Sequence, residues 1–504
     1  MASPLRLFAA LLFGWMTGRT QLPEREHVPR QTALPPPASE FANLVHALLA
    51  AHPGLTGFRL LDSGLDAFVA RIVMIERAQS SIDLQYYLFH DDMVGKLIAN
   101  KLMAAADRGV RVRVLIDDWG MAGRDDSLLA LSLHPHLSIR LFNPFASRRQ
   151  RVGEIISDFG RITRRMHNKS LTVDGLASIV GGRNIGNEYF DADPEVAFGD
   201  MDALMIGPIV SDVAHSFDAY WNSDVSYPIE LIHHRRPNKR ALDRYRKTLA
   251  SFAHAARNSA YAERAMHSEL ADDLRRGDMH WQWGRASLIA DDPRKVMLDY
   301  EDHSTHLLPQ LVPVVDALQQ ELLIFSPYFI PGEQGVAFFR ALHERGIRIT
   351  VVTNSLASTD VGIVHAGYAK YRKPLLAAGV TLYEVRAHSK SRLHLLSGAS
   401  RASLHAKTFV FDRRTVFIGS LNLDPRSAHI NTEIGVLIQS PVAAAAMAVQ
   451  VSDHISDAAY RVTLEDGELL WEAEGQRFTH EPDASWLRRL GLWLLSPFLI
   501  ESQL

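Results

Sequence analysis

The chain has no cysteine among its 504 residues. This excludes disulfides, thiolate metal centres, a cysteine nucleophile and lipid attachment through an N-terminal cysteine, without fixing a compartment. Positive charge is not in excess either. The 54 Lys and Arg stand against 57 Asp and Glu, for a formal net charge of −3 and a pI of about 6.8. Proteins that hold a polyphosphate backbone ordinarily carry a basic field, so nucleic acid is not an expected partner.

Long apolar runs are missing as well. The stretch Leu7–Met16 follows Arg6, and Trp486–Leu495 carries Arg488 and Arg489. Both fall short of the ~20 residues that span a bilayer. The first reads as the apolar region of a secretory signal, an interfacial anchor or the product of an upstream start site. Residues 19–40, with Pro23, Pro29 and Pro35-Pro36-Pro37, read as a linker. The second reads either as a helix lying among lipid headgroups or as one packed on a domain core. With 47% apolar and 22% charged residues, the chain is globular and long enough for a sizeable core.

What the sequence does carry is one short pattern, twice. His167-Asn168-Lys169-Ser170-Leu171-Thr172-Val173-Asp174 and His405-Ala406-Lys407-Thr408-Phe409-Val410-Phe411-Asp412 are both H-x-K-x-x-x-x-D. Each leads to a Gly-rich turn, Gly181-Gly182-Arg183-Asn184 and Gly419-Ser420-Leu421-Asn422, with His and Asn separated alike (184 − 167 = 17 and 422 − 405 = 17). The surroundings repeat too. Strand-like Ser81–Phe89 matches Glu321–Ile330, and Asp107-Arg108-Gly109-Val110-Arg111 matches Glu344-Arg345-Gly346-Ile347-Arg348. The Gly offset (346 − 109 = 237) and the His offset (405 − 167 = 238) nearly agree, which implies internal duplication.

Strands alternating with helical stretches predict a mixed α/β sheet in each copy, covered on both faces. The expected organisation is an N-terminal apolar segment and linker (1–40), a first half (41–225), an inserted helical connector (226–300), a second half (301–460) and a C-terminal tail with the amphipathic segment (461–504). Pseudo-twofold packing of two α/β sandwich halves would bring both motifs into one site at their interface.

The i, i+2 spacing puts His167 and Lys169 on one strand face, with Leu171 and Val173 sharing their parity. In the second copy His405, Lys407, Phe409 and Phe411 share a face. Lys supplies a cationic donor, His a tunable nitrogen, and Asn184 or Asn422 a neutral amide for a phosphoryl oxygen. Two such sets satisfy phosphodiester transfer, which needs a nucleophile, an acid for the leaving alkoxide and neutralised non-bridging oxygens. A carboxylate on each ring would fix its tautomer; the candidates are Asp202 and Glu433. Asp174 and Asp412 lie about 20 Å along a strand from their histidines and read as braces for loops. Beside a histidine cluster the lysines repel a cation, and no H-E-x-x-H pattern occurs, so neither a metal nor a cofactor is expected. The basic stretch Arg148-Arg149-Gln150-Arg151 with Arg161, Arg164 and Arg165 reads as a solvated loop or a site for anionic headgroups. Tyr86, Tyr87 and Tyr328 read as core or cleft lining.

The paired motifs resemble those of the phospholipase D superfamily over roughly residues 58–460. Arg165–Ser170, Val180–Phe190, Val364–Leu376 and Phe417–Ser427 are similar to bacterial cardiolipin synthases, nearest to the C-type branch, which lacks paired N-terminal transmembrane helices. The resemblance implies a metal-free transphosphatidylase with catalytic His167, Lys169, Asp174, His405, Lys407 and Asp412. It implies a phosphatidyl-histidine intermediate, by analogy on His167, with His405 handling protons. The implied substrates are phosphatidylglycerol as acceptor and phosphatidylglycerol or phosphatidylethanolamine as donor, and the implied place is the surface of the bacterial inner membrane. Three alternatives stay open: a hydrolase releasing phosphatidic acid, a nuclease of the same superfamily, and a silent lipid-binding scaffold.

Overall fold

The computed structural model describes residues 22–25, 28–148, 150–233, 238–388 and 401–495. The apolar stretch at 4–16, Arg149, Arg235, Arg236 and the tail after Leu495 lie outside them. Among the described residues twenty strands run in chain order. The first half holds β1 (Thr56–Leu61), β2 (Ser81–Tyr86), β3 (Arg111–Asp117), β4 (Leu137–Phe142), β5 (Ser170–Val173), β6 (Ala177–Gly181), β7 (Val196–Gly199), β8 (Asp202–Ile206) and β9 (Ser226–Pro228). There follow β10 (Gln282–Ala290), β11 (Glu321–Phe325), β12 (Arg348–Asn354), β13 (Val380–Val385), β14 (Arg401–Leu404), β15 (Lys407–Phe411), β16 (Thr415–Gly419), β17 (Ile434–Gln439), β18 (Ala459–Glu465), β19 (Glu468–Ala473) and β20 (Gln476–Phe478).

Hydrogen bonding orders the first half as β9, β4, β3, β2, β5, β6, β8, β1. The second half runs β18, β13, β12, β11, β15, β16, β17, β10. The two orders correspond strand for strand. In each, three parallel strands are followed by an antiparallel set, and β1 pairs with β10 to join the sheets. Parallel neighbours need crossovers of a dozen or more residues. Helices Met93–Asp107 and Gly332–Glu344 supply the first crossover in each half. The strands β2 and β5 are buried along their whole length, as strands covered on both faces should be.

The repeat therefore folds as two α/β halves, as the duplication predicts. One apolar cluster draws on both: Phe58, Val180 and Ala203 pack with Val410, Ile418 and Val436. Helices Ile209–Trp221 and Pro441–Ala458 feed the same cluster. Burying such side chains stabilises by about 1.5–3 kcal/mol each, so the halves share a core and do not merely touch.

The edges of the expected connector and tail differ from the sequence reading. Residues 226–300 are helical at Lys239–Ala256, Ala260–Met266 and Glu269–Arg276, yet β9 and β10 open and close the segment as sheet members. The segment after residue 460 carries β19 and β20 before the helix Trp486–Leu495. Both differences arise because these strands complete ladders with partners distant in sequence or at the sheet margin, which their own local sequence does not announce.

The described arginines of the basic stretch form neither a free loop nor an open anion site. Arg148 pairs with Asp118 and Asp125, Arg151 with Asp118, Arg161 with Glu154 and Asp158, and Arg165 with Asp117. Arg164 donates to the carbonyl oxygens of Lys295 and Leu298. Acids both near and distant in sequence, and for Arg164 backbone carbonyls, take up these charges.

Candidate active site

Both motif histidines sit where the halves cross. Met166 forms an isolated parallel bridge with Thr432, and His167 N donates to Thr432 O at 2.8 Å while Thr432 N donates to Arg165 O at 2.9 Å. On the other side β14 pairs in parallel with β7, and His405 N donates to Gly199 O at 2.8 Å. Each histidine backbone is thus clamped by the opposite half. The residue before each ring is held from within its own half. Asp117, at the end of β3, accepts from Met166 N at 2.8 Å and Arg165 Nε at 3.1 Å. Asn354, at the end of β12, accepts from Leu404 N at 2.9 Å and donates to Leu404 O at 2.8 Å.

The ring partners cross as well. His167 Nδ1 lies 2.9 Å from Glu433 Oε2, and His405 Nδ1 lies 2.6 Å from Asp200 Oδ2. In each copy this turns Nε2 away from the carboxylate, which fixes the tautomer; at His405 that Nε2 lies 3.2 Å from Lys407 Nζ. Glu433 is a predicted orienting residue and lies against His167. Asp202, the other one, does not reach a histidine: it is bound by Arg71 at 2.9 Å and Arg183 at 3.3 Å. The register explains the correction. Asp202 lies opposite Gly181 and Gly435 opposite Gly419, so Asp202 corresponds to Gly435, and Asp200, two residues earlier, corresponds to Glu433. The shared pattern acid–apolar–x in Asp200-Met201-Asp202 and Glu433-Ile434-Gly435 carries that signal in the sequence. The glycine turn makes room for Asp200: a Cβ on Gly182 would sit 2.2 Å from Asp200 Oδ1.

The lysines reach the same place. Lys169 Nζ donates to His167 O at 2.5 Å, and Lys407 Nζ lies 2.9 and 3.2 Å from the two nitrogens of His405. Asn184 donates to Tyr189 OH at 2.9 Å, and that phenol ring packs edge-on to His405 with centroids 5.1 Å apart. Asn422 donates weakly to Ser427 Oγ at 3.4 Å, and its buried Oδ1 has no hydrogen-bond partner. Tyr87 packs edge-on to His167 at 5.1 Å, and Phe198 stacks on His405 at 5.3 Å. Tyr328 binds Asp360 through its hydroxyl and lies under Lys407 at 6.0 Å. Tyr86 binds Arg71 instead and belongs to the core.

Asp174 and Asp412 complete the motif but are not brought to the histidines. Asp174 accepts the N–H groups of Gln79, Ser80 and Ser81 at 2.7–2.9 Å, and Asp412 those of Gln319, Gln320 and Glu321 at 2.8–2.9 Å. They anchor the turn into β2 and into β11, so their contribution is structural. Both sit at positive φ, 54° and 51°, a region that Asp tolerates better than most residues.

Burial dominates the electrostatics. It pushes the His167 imidazole down to about 4, with Lys169 and Lys407 adding to the fall and Glu433 opposing it. His405 is lowered by burial and then by Lys407, against the pull of Asp200. Lys169 falls well below the usual amine range and Lys407 falls to about 8, burial leading in both. Burial pushes Asp200 up, but His405, Lys407 and Arg183 outweigh it and hold the carboxyl at about 2. Glu433 is likewise held down against burial by His167, Lys169 and Ser420. The resting site therefore holds two neutral rings between two ionised carboxylates. A phosphodiester anion arriving there meets fixed donors and raises the basicity of the ring beside it.

Groups of metal-type donors occur elsewhere among the described residues: His303, His306 and His429, and His90, Asp92 and Glu188. Neither includes a motif residue.

A family profile described as "Cardiolipin synthase, PLD-like domain" matches residues 72–221 and 313–455. A protein named cardiolipin synthase C from Escherichia coli (strain K12) is 41% identical over 470 residues, covering 91% of this chain and 98% of that one. Cardiolipin synthase B from Shigella flexneri is 26% identical over 383 residues, covering 75% of this chain and 76% of that one. Among solved structures, phosphatidylserine synthase of Haemophilus influenzae Rd KW20 aligns with a TM-score of 0.58 at 16% identity, covering 92% of this chain and 100% of that one. That last likeness speaks for the fold.

The crossed pairs generate a test. Asp200→Asn and Glu433→Gln keep the shape of each contact and remove the charge that fixes the ring, so kcat should fall by about 10⁴-fold, the scale seen when a buried orienting carboxylate is neutralised. Thermal melting should stay near that of the parent. Asp202→Asn should do the reverse, lowering the melting temperature through Arg71 and Arg183. Activity lost equally in all three at unchanged stability would refute the assignment.

Proposed function

The chain belongs to the cardiolipin synthase family with phospholipase-D-like domains and is an enzyme; from that premise we propose that it transfers a phosphatidyl group to phosphatidylglycerol through a covalent histidine intermediate. The reading rests on one observation, the two imidazoles each bound at Nδ1 by a carboxylate of the opposite half.

In the first half-reaction the free Nε2 of His167 attacks phosphorus and the bond to the leaving oxygen breaks. His405 delivers its proton to that alkoxide, which departs as glycerol or ethanolamine. In the second, His405 takes the proton of the terminal hydroxyl of phosphatidylglycerol, the new oxygen–phosphorus bond forms, and the His167–phosphorus bond breaks. The assignment of roles follows the asymmetry of the pair. His167 is held neutral, with its basicity pushed down to about 4, as a nucleophile must be. His405 makes the shorter carboxylate contact, to the acid held at about 2, which suits it to carry a proton once a phosphate anion is beside it. Lys169, Lys407, Asn184 and Asn422 supply the electrostatic stabilisation of the phosphoryl oxygens.

Membrane contact is part of the proposal. No helix among the described residues is long and apolar enough to cross a membrane. The helix Trp486–Leu495 contacts Gly362–Ala369, and Arg488 donates to Thr359 O at 2.9 Å. It turns Trp486, Leu487 and Leu490 outward, with Trp486 64% exposed. An aromatic and leucine face beside arginines suits the headgroup region.

Incubation with labelled phosphatidylglycerol, with and without phosphatidylethanolamine, should yield labelled cardiolipin, and quenching in neutral denaturant, which spares the acid-labile phosphorus–nitrogen bond, should trap the label on the wild-type protein but not on His167→Ala. Phosphatidic acid as the sole product would replace this reading by hydrolysis, and label retained in His167→Ala would reassign the nucleophile. The pH dependence of kcat/KM, which reports the free enzyme, should rise through about pH 4 as His167 loses its proton and fall as His405, held below its ordinary range by burial and Lys407, loses its own. Lys407→Gln removes one of the groups that lower His405 and should move the alkaline limb of the residual activity upward; an unmoved limb assigns it to another group. Trp486→Asp with Leu487→Asp should abolish co-sedimentation with anionic vesicles while leaving turnover of a short-chain soluble lipid intact. Undiminished vesicle binding would remove this helix from the membrane face.

A further inference from the structure

The duplication is not symmetric where the second half meets helix Leu308–Asp316. On β15, Phe409 and Phe411 continue the strand face that carries Lys407, successive positions on that face being about 7 Å apart. They pair across the ladder with Ile324 and Leu322. Between this apolar floor and helices Leu308–Asp316 and Gly332–Glu344 lies a cavity of about 770 Å³. Its inner end is formed by Asn422 and Asp424, and its outer rim carries Tyr300, Val312 and Phe338, all exposed. The volume falls within the usual range for a ligand pocket.

In the first half the matching floor, Ile82 with Val173 and Leu84 with Leu171, belongs to a closed core. There helix Gly64–Arg77 contacts β5 and is covered in turn by Ala260–Met266 and Glu269–Arg276. Phe68 packs against Tyr261 and Phe190, and Tyr261 donates to Phe190 O at 2.9 Å. One copy of the ancestral unit has been filled; the other has been left hollow, and the hollow ends at a buried amide whose Oδ1 lacks a partner.

We propose that this cavity seats one acyl chain of the phosphatidyl group undergoing transfer. Asn422 binds next to the phosphate, and the chain runs outward over Phe409 and Phe411 to the rim at Val312 and Phe338. Three observations support that occupant over any other. The cavity is continuous with a residue of the candidate active site, its floor lies on the same strand face as Lys407, and its walls are mostly apolar, with Asp316, Glu333, Gln334, Asp424 and His429 the polar lining besides Asn422. The floor of Phe409, Phe411, Leu322 and Ile324 offers a headgroup no polar partner, whereas each methylene buried there favours binding by about fourfold. The inference rests on the functional reading above and deepens it: the second half grips the lipid tail, and the other substrate has no matching channel in the first half among the described residues.

The test fills the cavity without touching the chemistry. Val315→Trp places an indole between Leu311 and Ile324, and Val312→Trp narrows the rim; using both guards against one of them misfolding. For dioleoyl phosphatidylglycerol, KM should rise at least tenfold in either variant. For the dibutyryl lipid, whose chains end before the floor, kcat/KM should stay within about twofold of the parent. Binding is read independently of turnover: phosphatidylglycerol spin-labelled on its acyl chain should show an immobilised component with His167→Ala protein that disappears when Val315→Trp is added. These readouts hold whether the product is cardiolipin or phosphatidic acid, so failure of the proposed reaction and failure of the chain site are distinguishable. An unchanged dioleoyl-to-dibutyryl ratio in both folded variants overturns the proposal. So does an immobilised component that survives cavity filling, which would place the chain elsewhere.

Discussion

Each imidazole of the site is oriented by a carboxylate that belongs to the other half of the chain. His167 depends on Glu433, and His405 on Asp200. The surrounding structure follows from keeping those two contacts. The bridge from Met166 to Thr432 and the pairing of β14 with β7 hold the four residues in register across the interface. The shared apolar cluster around Val180, Val410 and Ile418 fixes the distance between the halves. An acid supplied from the opposite side makes the site conditional on correct docking of the halves. Neither half alone contains a correctly oriented ring.

Burial is the second constraint, and it acts in a consistent direction. Two histidines and two lysines taken from water lose basicity, and the two carboxylates recover only part of it. With both rings neutral, the ionised Asp200 and Glu433 offset whatever charge the two lysines carry. The electrostatic preorganisation lies in donors that are already aimed. Other buried charges nearby are spent on structure. Arg183 holds Asp202 and carbonyl oxygens of the loop after β1, and Lys295 pairs with Asp291, which in turn accepts from Glu433 N at 2.7 Å.

Duplication also creates freedom to diverge. The ladder positions flanking the two motifs correspond, yet their covers differ. The connector helices after residue 238 close over the first half, while the second keeps a cavity beside Asn422. Identical halves would offer identical surroundings to any ligand, so the difference in cover gives the two halves room for different roles.

The sequence alone determined that there are two copies of an α/β unit, and it offered their histidines, lysines and asparagines as candidates for phosphoryl chemistry and Glu433 as a candidate to orient a ring. These were legible because spacing within one strand–turn unit is local: parity along a strand and a turn of glycine fix where His, Lys and Asn point. Tertiary structure decided what depends on contacts between distant segments. It chose Asp200 over Asp202, because five extra residues in the first copy's loop (200 − 181 = 19 against 433 − 419 = 14) hide the correspondence that strand register reveals. It enlisted Asp117 and Asn354 as supports, gave Arg148, Arg151, Arg161 and Arg165 acidic partners, and showed which backbone N–H groups the motif aspartates brace. A sequence records which groups are available; which of them meet is set by the crossing of the two halves, where every decisive contact is long-range.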